Sequence, residues 1–188
     1  MKKILTWAAL AALAVPASVI AAGAFLVHPL PSPSSSPAQD YVYVGVPKCQ
    51  ICHRTERQGK QFPVWDESRH SKSFAALSRP EAAAPAKAAG LTTPPAGSES
   101  CLKCHAPLYA KAPELKAEGV SCEVCHGPGS VYKKLTLMNN RTEAAQRGLI
   151  VYDSPDKIKA LCLTCHAGAH GKTFDFDTAW PKIRHMKP

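Results

Sequence analysis

Past residue 27 the sequence has no long apolar run. Aromatic residues make up only 7% of the chain, and there are three methionines. Much of the apolar fraction is alanine, and seventeen prolines interrupt regular structure. Long helices with thick aliphatic faces are therefore scarce. The 188 residues are enough for one domain or two small ones, yet side chains alone cannot fill a conventional core. Acidic residues are few, fourteen against twenty-three basic, for a formal charge of +9. No nucleic-acid-reading motif accompanies that excess, so nucleic acid is not an expected partner. Nor does any nucleophile, acid–base pair or substrate-pocket signature stand outside the cysteine–histidine motifs.

Those motifs carry the chemistry. Cys49-x-x-Cys52-His53, Cys101-x-x-Cys104-His105, Cys122-x-x-Cys125-His126 and Cys162-x-x-Cys165-His166 use all eight cysteines. Each reads as a c-type haem attachment site. Two intervening residues let one turn of backbone bring both sulfurs to the vinyl edge of a porphyrin, and the following histidine points under the iron as proximal ligand. Zinc binding or a disulfide framework would leave four identically placed histidines unexplained. The expected cofactors are four covalently bound haems, which would replace the missing aliphatic core and leave the apo chain largely unfolded. Each ferric haem with two propionates adds about −1, so part of the positive charge is a counter-charge. A basic face for an acidic redox partner is the other use for it.

In chain order, Met1–Lys3 are positive at their end and Ile4–Val27 are apolar. Residues 1–27 read either as a signal peptide, cleaved near Ala22-Gly23-Ala24, or as an uncleaved membrane anchor. Phe25-Leu26-Val27 continue past the cleavage site and favour the anchor. Both readings export the remainder, giving a periplasmic domain with membrane association through residues 4–27 if the anchor is kept. Residues 28–40 are a Pro/Ser-rich linker, with His28 in solvent, and residues 41–188 form the haem domain. Tyr41–Gly45 alternates like a short strand. Asp66 can cap a helix that places His70, Phe74 and Leu77 on one stripe, making His70 a distal-ligand candidate. Glu81–Ala89 reads as a broken helix ended by Gly90, and Pro113–Glu118 as a short one closed by Gly119. The short step from the second motif to the third predicts neighbouring haems. Ser130 can cap a helix through Met138, Thr142 one that ends at Gly148, and Ser154-Pro155 starts a helix into the fourth motif.

The first motif, Trp65-x-x-x-x-His70, the second motif, Gly119-Val-x-Cys-Glu-x-Cys-His-Gly-Pro-Gly129, the fourth motif and a late histidine together resemble the tetrahaem cytochrome c-554 family, from Lys48 to the C-terminus. The resemblance implies a mainly α fold with extensive loops wrapped around stacked haem pairs. It implies His70 as ligand to the third-motif haem, His185 to the first, and no protein sixth ligand at the second. In the family the fourth haem takes a histidine shortly after Gly-Pro-Gly. Here none lies between Gly127 and Cys165, so Met138 is the expected ligand or the site is open. His170 stands too close to its own motif to reach round that haem, and is left to serve a neighbour or solvent. The expected function is electron transfer between a redox donor and an acceptor. The alternatives are a small-molecule redox enzyme acting on nitric oxide, nitrite or hydroxylamine at an open iron, and a subunit of a larger membrane or filament assembly.

Overall fold

The computed structural model describes residues 40–185. Every regular element among them is helical and most are very short. The α-helices are α1 (Val46–His53), α2 (Gln61–Glu67), α3 (Ser73–Ala76), α4 (Ala83–Ala88), α5 (Glu99–His105), α6 (Cys122–His126), α7 (Leu135–Met138), α8 (Arg141–Ala145), α9 (Pro155–His166) and α10 (Phe176–Ala179), joined by single 3-10 turns and long loops. This is the mainly α, loop-rich class expected. Proline explains many of the starts. It occupies the first turn of α1, of α9 and of the 3-10 turns Pro80–Ala82, Pro95–Gly97 and Pro113–Glu118, where its missing N–H is no loss.

Four expectations for local structure hold. A broken helix fills residues 80–88 and Gly90 follows at φ +66°. The 3-10 helix Pro113–Glu118 is closed by Gly119 at φ +68°. Gly148, at φ +101°, follows α8. Ser154 caps α9 by accepting from Lys157 N.

Others are corrected. Tyr41–Gly45 is not a strand. Its amides turn to side chains, Val42 N to Ser130 Oγ and Val44 N and Gly45 N to Glu123. Ser130 is thereby spent on Val42 and caps nothing, and the helix begins only at Leu135. Asn140, not Thr142, caps α8. Asp66 lies at the end of α2, and Ser68 breaks the chain there with extended backbone. His70 therefore sits in a turn between α2 and α3 rather than on a helical stripe.

The aliphatic core is as thin as the composition demands. Leu77, Leu102 and Ala106 pack with Phe74, Ala96, Cys101 and Tyr109. Val46, Leu108, Tyr132, Ala144 and Phe176 are buried elsewhere. The bulkiest side chain almost wholly withdrawn from solvent is a carboxylate, Glu123, at 2% exposure. The leader and linker readings for residues 1–39 lie outside the described residues. No helix among the described residues is long and apolar enough to cross a membrane.

Candidate haem-binding site

Each cysteine–histidine motif is the last turn of a helix: α1 ends on His53, α5 on His105, α6 on His126 and α9 on His166. Helical spacing at i, i+3 and i+4 puts both thiols and the imidazole on one face. No two of the eight cysteines are joined in a disulfide.

Carboxylates fasten the first motif to the third. Glu123, between the two thiols of α6, accepts from Val44 N (3.0 Å), Gly45 N (2.8 Å) and Gly129 N (2.6 Å). Glu118 accepts from Val46 N at 3.0 Å, which satisfies the first amide of α1. The Cys49 thiol donates to Gly45 O at 3.7 Å, and the Cys49 and Cys122 thiols act on each other, pushing Cys49 up and Cys122 down. The third motif also feels the fourth. Burial, followed by Cys162 and Cys165, pushes the Cys125 thiol up to about 11. Tyr152 donates to Cys125 O at 2.8 Å. The fourth motif in turn meets the second, Cys165 against Cys104. The thiols thus influence one another in the order first, third, fourth, second.

Ser73 anchors the second motif. Its hydroxyl lies 2.7 Å from His70 O and 2.8 Å from His105 O, and accepts from Val120 N at 3.0 Å. Its carbonyl holds His105 Nδ1 at 2.9 Å. Likewise Gln61 Oε1 lies 3.3 Å from His53 Nδ1. In both rings the outer nitrogen is occupied and Nε2 is left for a metal, as is usual for ligating histidines. Trp65 Nε1 donates to Val120 O at 2.8 Å, which ties the His70 turn to the third motif.

The other histidines stand opposite the motif histidines. Ring centres are 6.1 Å apart for His70 and His166, 6.1 Å for His105 and His170, and 5.8 Å for His126 and His185. Two imidazoles on opposite faces of one metal would stand about 6 Å apart, from a metal–nitrogen bond of about 2 Å and roughly 1 Å from nitrogen to ring centre. Burial, then His185 and His53, holds His126 down at about 4. His70 is lowered by burial and then by His166. His185 is lowered by burial and His53, against the Ile183 backbone. Neutral imidazole is the ligating form. Ser121 Oγ, beside the first thiol of α6, is buried without a hydrogen-bond partner. The donor set, the spacing and the thin core all fit haem c.

The pairing differs from the one the resemblance implied. His70 faces His166, not His126. His185 faces His126, with His53 close enough to act on both. Where Met138 was expected, before His166, the structure sets His70, and Met138 closes α7 half-buried. Sequence reasoning did not single out Glu123, Ser73 or Gln61. Glu123 was visible within the third motif, but nothing in the linear pattern marks the amides it accepts from.

Residues 48–127, which hold the first three motifs, match the family described as cytochrome c554 and c-prime. The chain is similar to cytochrome c-554 of Nitrosomonas europaea, 25% identical over 155 residues, covering 71% of this chain and 61% of that protein. It thus spans about three fifths of the length of that relative. No solved structure matches it significantly. Of the four helix ends built alike, the first three lie inside the segment that matches the cytochrome c554 and c-prime family.

Proposed function

We propose that the chain is a tetrahaem c-type cytochrome that passes electrons between a redox donor and an acceptor outside the cytoplasmic membrane. The observation that carries this reading is that the motif thiols act on one another electrostatically, Cys49 with Cys122, Cys125 with Cys162 and Cys165, and Cys104 with Cys165. Cofactors anchored at those sulfurs would form one conduit with two ends. The eight cysteines would hold four haems as thioethers, and His53, His105, His126 and His166 would be proximal ligands. His70 and His185 would be distal ligands to the fourth- and third-motif irons. When bound, haem supplies one-electron exchange; its potential is set by axial ligands and burial. The chain supplies orientation. Ser73 O and Gln61 Oε1 hold imidazole Nδ1 atoms, while Glu123 and Glu118 lock the first motif to the third. Residues 1–27 would export the domain and, if uncleaved, tether it.

The test is the haem content of the exported protein, by intact mass and pyridine haemochrome, followed by potentiometric titration. Four haems that are reduced and reoxidised by small soluble redox proteins support the reading. Fewer haems, or haems that exchange no electrons with such partners, overturn it.

A second reading draws on His53. The other three motif histidines each face a second histidine, and His53 faces none among the described residues. An open first-motif iron would bind nitric oxide, nitrite or hydroxylamine and make the protein a redox enzyme. A ferric protein with no high-spin haem and no affinity for nitric oxide or cyanide excludes that reading.

A further inference from the structure

Immediately after the fourth motif the chain reverses within a few residues. Gly168 and Gly171 have φ of +69° and +67°, and between them His170 adopts φ +55°, ψ +30°. Only Lys60 among the other described non-glycine residues has positive φ. A side chain held there costs conformational energy and persists where something holds it in place; such positions cluster at functional sites. The reversal carries the His170 ring away from His166, which already faces His70, and brings it to His105, 6.1 Å between centres and edge-on at 70°. On His105 the nitrogen turned from the metal is fixed by Ser73 O at 2.9 Å, so Nε2 is the free one. Helix α5 packs against α9, which sets the two helix ends side by side and gives so short a loop its reach.

We propose that His170 is the sixth ligand of the second-motif haem, opposite His105. The proposal rests on the reading of the chain as a haem protein. It departs from the resemblance, which implied no protein ligand at that position. Here the second-motif iron is closed by a residue that the fourth motif delivers, and the fourth and second haems are joined by chain as well as by contact. The second-motif iron is then low-spin, binds no added small ligand and has a lower potential than a methionine-ligated haem.

The experiment uses the exported holoprotein. Intact mass comes first: fewer than four haems in the wild type defeats the tetrahaem reading itself, separately from this proposal. With four haems present, His170→Ala is expected to keep the full load, convert one haem from low to high spin, and regain low spin on adding imidazole. His170→Met should show the near-infrared charge-transfer band of methionine-ligated ferric haem. A full load with unchanged spin count in His170→Ala overturns the proposal, as does a fully loaded His170→Met without that band. A wild-type measurement serves if neither variant accumulates. His170 is exposed, so a free imidazole there would react with diethyl pyrocarbonate, while an iron-bound one is protected. Carbethoxylated His170 in native four-haem protein overturns the proposal, and its protection, lost on unfolding, supports it.

Discussion

Replacing Glu123 by glutamine tests whether the clamp between the first and third motifs holds the fold. The carboxylate is almost wholly buried and accepts from three amides, those of Val44, Gly45 and Gly129. A hydrogen bond to a charged group contributes about 1.5–3 kcal/mol, and a buried donor left unpaired costs about 1–3 kcal/mol. Glutamine keeps one acceptor oxygen, which can serve Gly129 on one side or Val44 and Gly45 on the other. Its NH2 must then point a donor at the remaining amides. Weakened charge assistance plus at least one unpaired donor gives a loss of about 2–4 kcal/mol. For a chain of this size that lowers the unfolding midpoint by roughly 5–15 °C. Glu123→Ala, which abandons all three amides, should cost more than Glu123→Gln. The assay is denaturant and thermal unfolding of holoprotein with equal haem content, followed by far-ultraviolet circular dichroism. A Glu123→Gln protein within about 0.5 kcal/mol of wild type would refute the reasoning, since that is the range of an ordinary surface change.

His70→Ala should convert one haem to high spin, assignable by paramagnetic NMR to the fourth motif; assignment to the third would restore the pairing that the resemblance implied. Met138→Ala should leave the spin count unchanged. At Gly119 an added Cβ would strike Ser73 Oγ and His70 O at a φ of +68°, so Gly119→Ala should destabilise by about 2–4 kcal/mol in denaturant unfolding. Burial, with Glu123 adding and the Val46 amide opposing, raises the Glu118 pKa above 4.5. A raised carboxylate favours the protonated folded state, so its stabilising contribution is full below the unfolded value and is lost as pH rises through the folded one. Glu118→Gln should flatten that decline in unfolding free energy measured from about pH 4 to about pH 8.

The site was legible wherever the determinants are local. One helical turn sets the geometry of Cys-x-x-Cys-His, and Ser154-Pro155 and Gly119 mark helix ends by backbone chemistry that neighbours cannot overrule. The readings that failed depend on partners far along the chain. Tyr41–Gly45 alternates like a strand, but its amides find Glu123 and Ser130, some eighty residues on. The stripe through His70, Phe74 and Leu77 assumed one helix, whereas Val120 N donates to His70 O at 3.1 Å and holds that segment as a turn. Which histidine faces which motif follows from such crossings, and no spacing rule encodes them. His170 shows this most clearly: its nearness to the fourth motif excluded its own haem, but the contact of α9 with α5 was needed to find its partner.

The position of Glu123 also orders events in time. In a chain delivered from its N-terminus, Cys49 and Cys52 precede Glu123 by more than seventy residues. Until Glu123 follows, the amides of Val44 and Gly45 lack the carboxylate they meet in the folded chain. Once the third motif arrives, Glu123 draws it and the first motif together. If the motifs take haem, the clamp would close late, after both partners have been delivered. On the haem-protein reading, closing the clamp would follow loading of the third motif, since Cys122 and Cys125 are half-buried once α6 is in place.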